Sequence, residues 1–224
     1  MTNLKKYLDN IKISSNDKNI IIKEVFEQDV YKLKQQIDKN IDFIIDIGAN
    51  VGVFSICCRY YFPKCRIISI EPFPETYSML ENNVKRLKIE TINVPFGDGS
   101  KLLLINPHKG NGGAQCFPNG DTKSWTLKEI FNYFKLDKNK NFILKSDCEG
   151  GEKYFLHEDN IKFLSLCKFF TSEFHKRHKN SDISLCTDGE IEEIINIIKK
   201  THNYKIEQCA YDEYMFNLFA ERKN

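Results

Sequence analysis

The stretch FIIDIGANVGVFSI, residues 43–56 of a 224-residue chain, decides the fold. Its first half is an apolar run with an aspartate near its end, a pattern typical of a strand buried on both faces of a parallel sheet. Two glycines follow within five residues, and apolar residues then recur at helical spacing. A strand, a tight turn and a helix in this order predict the first half of a βαβ unit, whose turn lies where open parallel sheets bind ligands.

Strands and helices alternate along the rest of the chain, which predicts an open, doubly wound α/β sheet. Residues 19–27 and 29–39 predict a strand and a helix, which form an N-terminal extension over residues 1–40. No repeat or linker is evident and the length suits one domain, so we predict a single domain over residues 1–224. Further strands are predicted at 65–72, 91–97, 142–147, 167–174, 204–209 and 213–222, and helices at 51–61, 75–88, 124–135, 152–158 and 189–202.

Composition is that of an ordinary globular protein, with 41% hydrophobic and 29% charged residues. A net charge of +2 is far weaker than the basic excess typical of proteins that follow nucleic-acid phosphates. Eight cysteines without a C-x-x-C motif, in a chain too large to need disulfides, predict buried reduced thiols rather than a zinc site. The N-terminus lacks an apolar leader and no run of about eighteen apolar residues occurs, so we expect a cytoplasmic protein without a membrane partner.

Three types of ligand site use a turn like that at residues 46–52. A P-loop requires a lysine after its last glycine, where Val53 stands, and a dinucleotide motif requires glycines where Asn50 and Val53 stand. The third type has an acid at the strand end, here Asp46, and another after the next strand, Glu71, which accepts hydrogen bonds from two ribose hydroxyls. S-adenosylmethionine fits this type, because it joins a cationic amino acid to a ribose and a base without a pyrophosphate. The alternative is that Asp46 is a helix cap and Glu71 is an ordinary charge at a strand end.

Six segments carry a resemblance to a known family, namely IDIGANVGVFS at 45–55, EPFPETYSMLENNV at 71–84, NVPFGDGS at 93–100, SWTLKEIF at 124–131, ILKSDCEGGE at 143–152 and SEFH at 172–175. Together they resemble the FkbM-type S-adenosylmethionine-dependent methyltransferases. The resemblance implies a Rossmann-like class I methyltransferase fold, an α/β fold with a seven-stranded, mostly parallel sheet and helices on both faces. It also implies transfer of a methyl group to a hydroxyl of a sugar or another small hydroxylated molecule. Ser146 and Cys148 stand where the family usually has apolar residues, and Lys128 where it often has an acid, so the acceptor is less defined than the donor.

The resemblance also implies which residues bind the donor. The turn after the first strand lines its methionine and ribose, and the acid after the second strand takes the ribose hydroxyls. Asp98 accepts from the exocyclic amine of adenine in this interpretation, although in the segment GDGS it is also typical of a polar turn. The donor-binding residues are then Asp46, Gly48, Ala49, Asn50, Gly52, Glu71, Pro72, Phe73, Gly97, Asp98 and Asp147.

The ends of two later strands supply the candidate groups for chemistry. Since side chains alternate along a strand, Lys145 and Asp147 share one side, and Glu173 and His175 share a side of the next strand. A hydroxyl acceptor needs a base, and we expect Asp147 or His175 to be that base, whereas a structural ion pair is the alternative for Lys145. The candidate catalytic residues are Asp147, His175, Lys145, Glu149 and Glu173, and the candidate acceptor-binding residues are Glu149, Glu152, Glu173, His175 and Asn111.

The remaining alternatives concern the metal, the acceptor and the activity. The acids also suit a hard divalent cation, but the sequence favours a reaction without a metal. The segment 101–121 begins with the apolar run KLLLINP and becomes glycine-rich, and we predict that it covers the acceptor. An RNA ribose 2′-O-methyltransferase is disfavoured because Glu173 stands where those enzymes have a lysine, and a non-catalytic donor-binding module is the other alternative. We expect a small hydroxylated acceptor and no nucleic acid, while the sequence does not define an oligomeric state.

Overall fold

A computed structural model describes residues 11, 20–105, 114–177, 185–208 and 214–223 of the chain. The strands are β1 Phe43–Ile47, β2 Arg66–Ile70, β3 Glu90–Ile92, β4 Lys101–Ile105, β5 Gln115–Pro118, β6 Thr122–Lys123, β7 Phe142–Ser146, β8 Phe169–His175, β9 His202–Gln208 and β10 Met215–Arg222. The α-helices are α1 Val53–Tyr61, α2 Pro74–Val84, α3 Leu127–Tyr133, α4 Glu158–Leu166 and α5 Asp188–Thr201. No helix of the described residues has both the length and the apolar composition needed to span a bilayer.

Seven strands form one sheet in the order β3-β2-β1-β7-β8-β10-β9. The strands β3, β2, β1, β7 and β8 pair in parallel, and β10 runs antiparallel to both of its neighbours. The predicted α/β fold with a mostly parallel seven-stranded sheet is therefore confirmed. The chain progresses outward from β1 in one direction and then from β7 in the other, so the strand order reverses between them. That reversal places a crevice at the carboxyl ends of β1 and β7.

The two faces of the sheet are covered by separate apolar layers. Along β1, Ile44 packs on the layer that contains α1 and α2, whereas Ile45 and Ile47 pack on the layer that contains α3, α4 and α5. Burial on both faces explains why the strand lacks the alternating polar pattern of a half-exposed strand. Since Asp46 is in phase with Ile44, the same alternation directs its carboxylate toward α1.

The N-terminal extension differs from the sequence-based prediction. The predicted strand at 19–27 is wrong, because the chain forms a π-helical segment over Lys23–Gln28 whose buried Val25 packs in the same layer as α1. The predicted helix at 29–39 is reduced to a 3₁₀ turn over Leu33–Gln36. The carboxylate of Asp29 accepts hydrogen bonds from the backbone N–H groups of the residues that begin this turn, at 2.8 and 3.2 Å. Tertiary packing and a side-chain cap therefore outweigh the β-branched composition of the segment.

A small antiparallel sheet occupies much of the segment that was predicted to cover the acceptor. Its strand order is β5-β4-β6, and the segment 101–121 includes β4 and β5. Residues 106–113 lie outside the described residues, and so does the predicted acceptor contact Asn111. The described part of the segment is thus built on strands rather than on an extended loop.

A buried asparagine joins the helical layer to the loop that precedes β4. Asn160 on α4 is fully buried, and its Oδ1 accepts from the backbone N–H of Leu127 at 2.6 Å. Its Nδ2 donates to the carbonyl oxygens of Gly97 and Tyr154 at 2.9 and 2.7 Å. One side chain therefore satisfies backbone groups from three separate segments, none of which belongs to α4.

Asn160→Ala is expected to lower the free energy of unfolding by about 3 kcal/mol, because two buried backbone groups and one partly buried group lose their hydrogen-bond partner. Chemical denaturation monitored by circular dichroism measures the change. Asn82→Ala is the matched control, since Asn82 is exposed on α2 and its amide only donates to Ser78 at 2.8 Å. The control should stay within about 0.5 kcal/mol of the native protein. Equal midpoints for the two variants would contradict the role assigned to Asn160.

Candidate functional site

A cavity of about 560 Å³ lies at the carboxyl ends of the parallel strands. It is lined by the turns that follow β1, β2 and β7, by the ends of β8 and β10, and by the N-terminal extension. Its lining includes Gly48, Ala49, Asn50, Glu71, Pro72, Phe73, Lys145, Asp147, Glu149, Glu173 and His175. Most of the residues predicted for donor binding and chemistry therefore meet in one place, at the point where the strand order reverses.

The turn after β1 is fixed by its neighbours on both sides. The N–H groups of Gly48 and Ala49 both donate to the carbonyl oxygen of Ile70, at 3.0 and 2.9 Å. Gly48 has a φ of 69°, and a Cβ atom on it would lie 1.8 Å from the carbonyl oxygen of Asp147. Only glycine fits this position, because the backbones after β1 and β7 approach too closely for a side chain.

Asp46 lies on the α1 side of this turn and does not line the cavity. Its side chain is fully buried, and Oδ2 accepts a hydrogen bond from Ser55 on α1 at 2.6 Å. Its Oδ1 lies 3.1 Å from the Nζ of Lys145, which also donates to the carbonyl oxygen of Gly48 at 2.8 Å. The structure thus differs from the expectation that Asp46 meets the donor, because the carboxylate points into the α1 layer and orders the turn.

Lys145 is a buried structural cation. Burial opposes its charged form, but the carboxylates of Asp46 and Asp147 outweigh burial and raise the pKa of the ammonium above its ordinary value. The rings of Tyr31 and Phe54 lie over the ammonium, with centroids at 5.4 and 5.6 Å from Nζ. The protonated lysine has no lone pair to accept a proton, so it does not serve as a base. The geometry supports the alternative for Lys145, a structural ion pair with Asp46.

Glu71 follows β2 and reaches the cavity beside the turn after β1. Its Oε2 accepts from the backbone N–H of Asn50 at 2.9 Å and its Oε1 from that of Phe73 at 3.1 Å. Burial raises the pKa of the carboxyl to about 7, although the two backbone donors oppose the shift. Since β1 and β2 are neighbours, with Asp46 opposite Ser69, the two predicted acids do lie at adjoining strand ends, as expected from the sequence.

A second group of ionisable side chains lies at the ends of β7 and β8. Nε2 of His175 lies 3.5 Å from Oε2 of Glu149 and 3.7 Å from Oε1 of Glu173. Burial and the neighbouring carboxylate of Asp147 raise the pKa of Glu173 to about 8. Burial opposes the imidazolium of His175, but the carboxylates of Glu152 and Glu149 raise its pKa well above its ordinary value. A protonated His175 cannot accept a proton, which leaves Asp147 as the better placed of the two predicted bases.

Five predicted residues within the described part of the chain do not line the cavity, namely Asp46, Gly52, Gly97, Asp98 and Glu152. Glu152 is fully buried, and its carboxylate accepts from the N–H groups of Cys148 and Gly150 at 2.8 and 2.9 Å, so it fixes the loop after β7 instead of contacting an acceptor. Gly97 packs against Ser124, and Asp98 accepts from the N–H of Ser100 at 2.9 Å. Phe96, which precedes Gly97 in the sequence, does line the cavity.

Tyr31 is the functional-site residue that the sequence did not reveal. It is buried, and its hydroxyl donates to Oδ2 of Asp147 at 2.8 Å. Lys32 and Glu207 also line the cavity and form an ion pair at 2.9 Å between the N-terminal extension and β9. No motif marks the N-terminal extension, so only the tertiary structure brings these residues to the site.

Comparison with known proteins gives a consistent result. The family model described as the methyltransferase FkbM domain matches residues 46–211. The methyltransferase sdnD of Sordaria araneosa is 35% identical over 72 residues, which cover 32% of this chain and 27% of sdnD. The hexuronic acid methyltransferase AglP of Haloferax volcanii is 24% identical over 188 residues, which cover 80% of this chain and 76% of AglP. The chain thus spans about a quarter of sdnD and about three quarters of AglP.

A solved structure supports the fold. The crystal structure of Methyltransferase FkbM from Methylobacillus flagellatus KT superposes with a TM-score of 0.53 at 13% sequence identity. The superposition covers 97% of this chain and 57% of that one. At this level of identity the likeness establishes the shared architecture.

Lys145→Met is expected to lower the free energy of unfolding by about 3–5 kcal/mol, because Asp46 stays buried without its cation. The double variant that adds Asp46→Asn should recover part of this loss. Lys128→Met is the matched control, since Lys128 forms an ion pair with Asp159 at 3.0 Å in which the lysine side chain is 56% exposed. Removing that exposed pair should cost less than about 1 kcal/mol. Equal effects of the two lysine substitutions in denaturant titrations would refute the stabilising role of the buried pair.

Proposed function

The chain belongs to the FkbM family of S-adenosylmethionine-dependent methyltransferases, and from this premise we propose that it methylates a hydroxyl group of a sugar or another small hydroxylated acceptor. The observation that carries the proposal is the presence of Glu71 and of Asp147 with its acidic neighbours in a single cavity. Glu71 suits the donor, and Asp147 with its acidic neighbours suits a hydroxyl that must lose a proton. The relative AglP is named a hexuronic acid methyltransferase, which supports a sugar as the acceptor.

Glu71 and the turn after β1 fit the donor. A carboxylate offers about four lone-pair positions, and two of those of Glu71 are taken by backbone N–H groups. The other two match the pair of hydroxyls on a ribose. Gly48 lines the cavity without a side chain, and the apolar Phe73 and Phe96 offer surfaces for a flat base. We assign Gly48, Ala49, Asn50, Glu71, Pro72 and Phe73 to donor binding, with Asp46 and Gly52 shaping the turn.

Asp147 is the proposed activating group for the acceptor. Methyl transfer from a sulfonium is an in-line displacement, so the protein mainly aligns the hydroxyl and promotes loss of its proton. The hydrogen bond from Tyr31 and the ammonium of Lys145, 3.8 Å from Oδ2, fix the orientation of the Asp147 carboxylate. Glu149, Glu173 and the imidazolium of His175 surround the same space and are assigned to positioning of the acceptor hydroxyls.

The charge of the cavity argues against RNA as the acceptor. Among the residues that the structure describes, the cationic lining residues are Lys32, Lys145 and His175, and the acidic ones are Glu24, Glu71, Asp147, Glu149, Glu173 and Glu207. Lys32 pairs with Glu207 and Lys145 with Asp46, so neither offers a full charge to a phosphate. A polyanion would be repelled, whereas a neutral polyol finds many hydrogen-bond acceptors.

Donor affinity is expected to increase as the pH rises from one unit below to one unit above the Glu71 pKa of about 7, since only the ionised carboxylate accepts from both ribose hydroxyls. Glu71→Gln should bind the donor about ten-fold more weakly and lose most of this pH dependence. Isothermal titration calorimetry with S-adenosylmethionine at several pH values measures both effects. Glu75→Gln, at an exposed position on α2, should retain the native profile. An unchanged profile in Glu71→Gln would exclude Glu71 as the ribose ligand.

The reaction itself is tested with methyl-labelled donor and a panel of monosaccharides, nucleotide sugars and capped RNA. We expect label on a hydroxyl oxygen of a sugar-like acceptor. Asp147→Asn should lower turnover at least about 100-fold while donor affinity stays nearly constant. Asp137→Asn, at an exposed position after α3, should behave like the native protein. Label on a nitrogen or carbon atom, or transfer to RNA alone, would refute the proposed reaction.

A further inference from the structure

The acids and the histidine at the ends of β7 and β8 have the arrangement of a metal site. Asp147, Glu173 and His175 each offer one ligand atom, and these three atoms lie within 4.8 Å of one another. An octahedral cation with bonds of about 2.1 Å separates its ligand atoms by about 3.0 Å when they are adjacent and about 4.2 Å when they are opposite. The distance of 3.7 Å between Nε2 of His175 and Oε1 of Glu173 lies between these two values.

His175 is the buried member of this cluster. The residue is only 6% exposed, and its two ring nitrogens face carboxylates on opposite sides. Its Nε2 faces the carboxylate of Glu173, while Nδ1 lies 3.8 Å from Oε2 of the fully buried Glu152. Metal-binding histidines commonly have a carboxylate behind the ring nitrogen that does not bind the metal. The ring is therefore buried, with Nε2 directed at the carboxylates of Glu149 and Glu173 and Nδ1 directed at that of Glu152.

Asp147 is supported in the same way. Its Oδ2 receives a hydrogen bond from the hydroxyl of Tyr31 at 2.8 Å, so the orientation of its carboxylate is set by a residue outside the cluster. The side chain remains 28% exposed toward the cavity, and that of Glu173 remains 16% exposed. A cation entering through the cavity would thus meet two accessible carboxylates in front of a buried imidazole.

We propose that Asp147, Glu173 and His175 bind a divalent cation, of the class of Mn²⁺, in the acceptor half of the cavity. Two carboxylates and one imidazole form a mixed oxygen and nitrogen set, which suits Mn²⁺ better than the all-oxygen preference of Ca²⁺ or Mg²⁺. Binding of the cation displaces any proton from Nε2, since a metal ligand must be neutral imidazole. The cation also relieves the repulsion between two carboxylates that share a partly buried site.

The role of the cation rests on the proposed function. Coordination of the acceptor hydroxyl lowers its pKa, and the proton leaves to solvent at the open side of the cavity. The resulting alkoxide attacks the methyl carbon, so that a C–O bond forms while the S–C bond breaks and its electron pair passes to sulfur. Asp147 then activates the hydroxyl through the cation instead of by direct proton transfer.

Binding is tested first and without any acceptor. Purified full-length protein is treated with EDTA, freed of chelator and titrated with MnCl₂, while free Mn²⁺ is followed by electron paramagnetic resonance. We expect one saturable site per chain and at least ten-fold weaker binding in Asp147→Asn and in Glu173→Gln. Both variants remove a charge from a crowded and partly exposed cluster, so they should fold even where a variant of the buried His175 does not. Glu193→Gln, at an exposed position on α5, is the control and should bind like the native protein.

The outcomes separate the site from the reaction. The absence of saturable Mn²⁺ binding, or equal affinity in the native protein, Asp147→Asn and Glu173→Gln, overturns the proposal. Weaker binding in both variants with native binding in Glu193→Gln supports it.

Methyl transfer measured before and after EDTA treatment tests the role of the cation. Turnover that is lost with EDTA and restored by Mn²⁺ supports action through the cation. If Mn²⁺ binds at the site but turnover is unchanged by EDTA, the role assigned to the cation is overturned while the site and the methyltransferase proposal both stand. If Mn²⁺ binds but no hydroxylated acceptor is methylated, the failure belongs to the proposed function.

Discussion

Asp46 and Lys145 face each other in register across β1 and β7, and the ion pair between them is the constraint on which the site depends. Two charges in a sheet core each cost several kcal/mol of desolvation, so the pair persists only with close geometry and additional hydrogen bonds. Ser55 supplies such a bond to the aspartate, and the carbonyl oxygen of Gly48 accepts one from the lysine. The pair thereby fixes the turn after β1 against β7, the strand that ends just before Asp147. The turn that carries Ala49 and Asn50 and the strand end that leads to Asp147 are therefore held by the same two side chains.

The carboxylates of the cavity show how environment divides one type of group among several tasks. Glu71 is buried but receives two backbone N–H groups, which hold it in place as a hydrogen-bond acceptor. Glu173 is raised in pKa by burial and by the charge of Asp147, so it lies in a site with excess negative charge. Glu152 lies outside the cavity, and its carboxylate accepts hydrogen bonds from the N–H groups of its own loop. Under the two proposals, a single residue type supplies a ribose ligand, a cation ligand and a loop cap, according to the groups that surround each carboxylate.

The sequence predicts the parts of the site that depend on local pattern. The turn after β1, the acid after β2, the acids after β7 and the last residues of β8 are each predicted from a strand end, and parallel strands bring those ends to one edge of the sheet. Tyr31 escapes prediction because a single tyrosine in a segment without a motif acquires its role only by packing against α1. The direction of Glu152 likewise depends on a loop conformation in which Gly150 and Glu149 have positive φ. The π-helical segment at Lys23–Gln28 shows the same limit, since the run NIIIKEVFE at residues 19–27 equally suits a strand until a packing surface is available.

His175 links the identity of the acceptor to the presence of a cation. The surrounding carboxylates stabilise positive charge at the imidazole, so the ring carries a proton unless a metal ion takes the place of that proton. With a proton there, the acid-rich cavity accommodates the cationic donor and a neutral hydroxylated acceptor, while a negatively charged sugar is repelled. With a divalent cation there, the local charge becomes more positive by one unit, and a sugar that carries a carboxylate has a partner. Under the proposed function, the preference for a neutral or an acidic sugar would then depend on Asp147, Glu173 and His175, the three side chains of the proposed cation site.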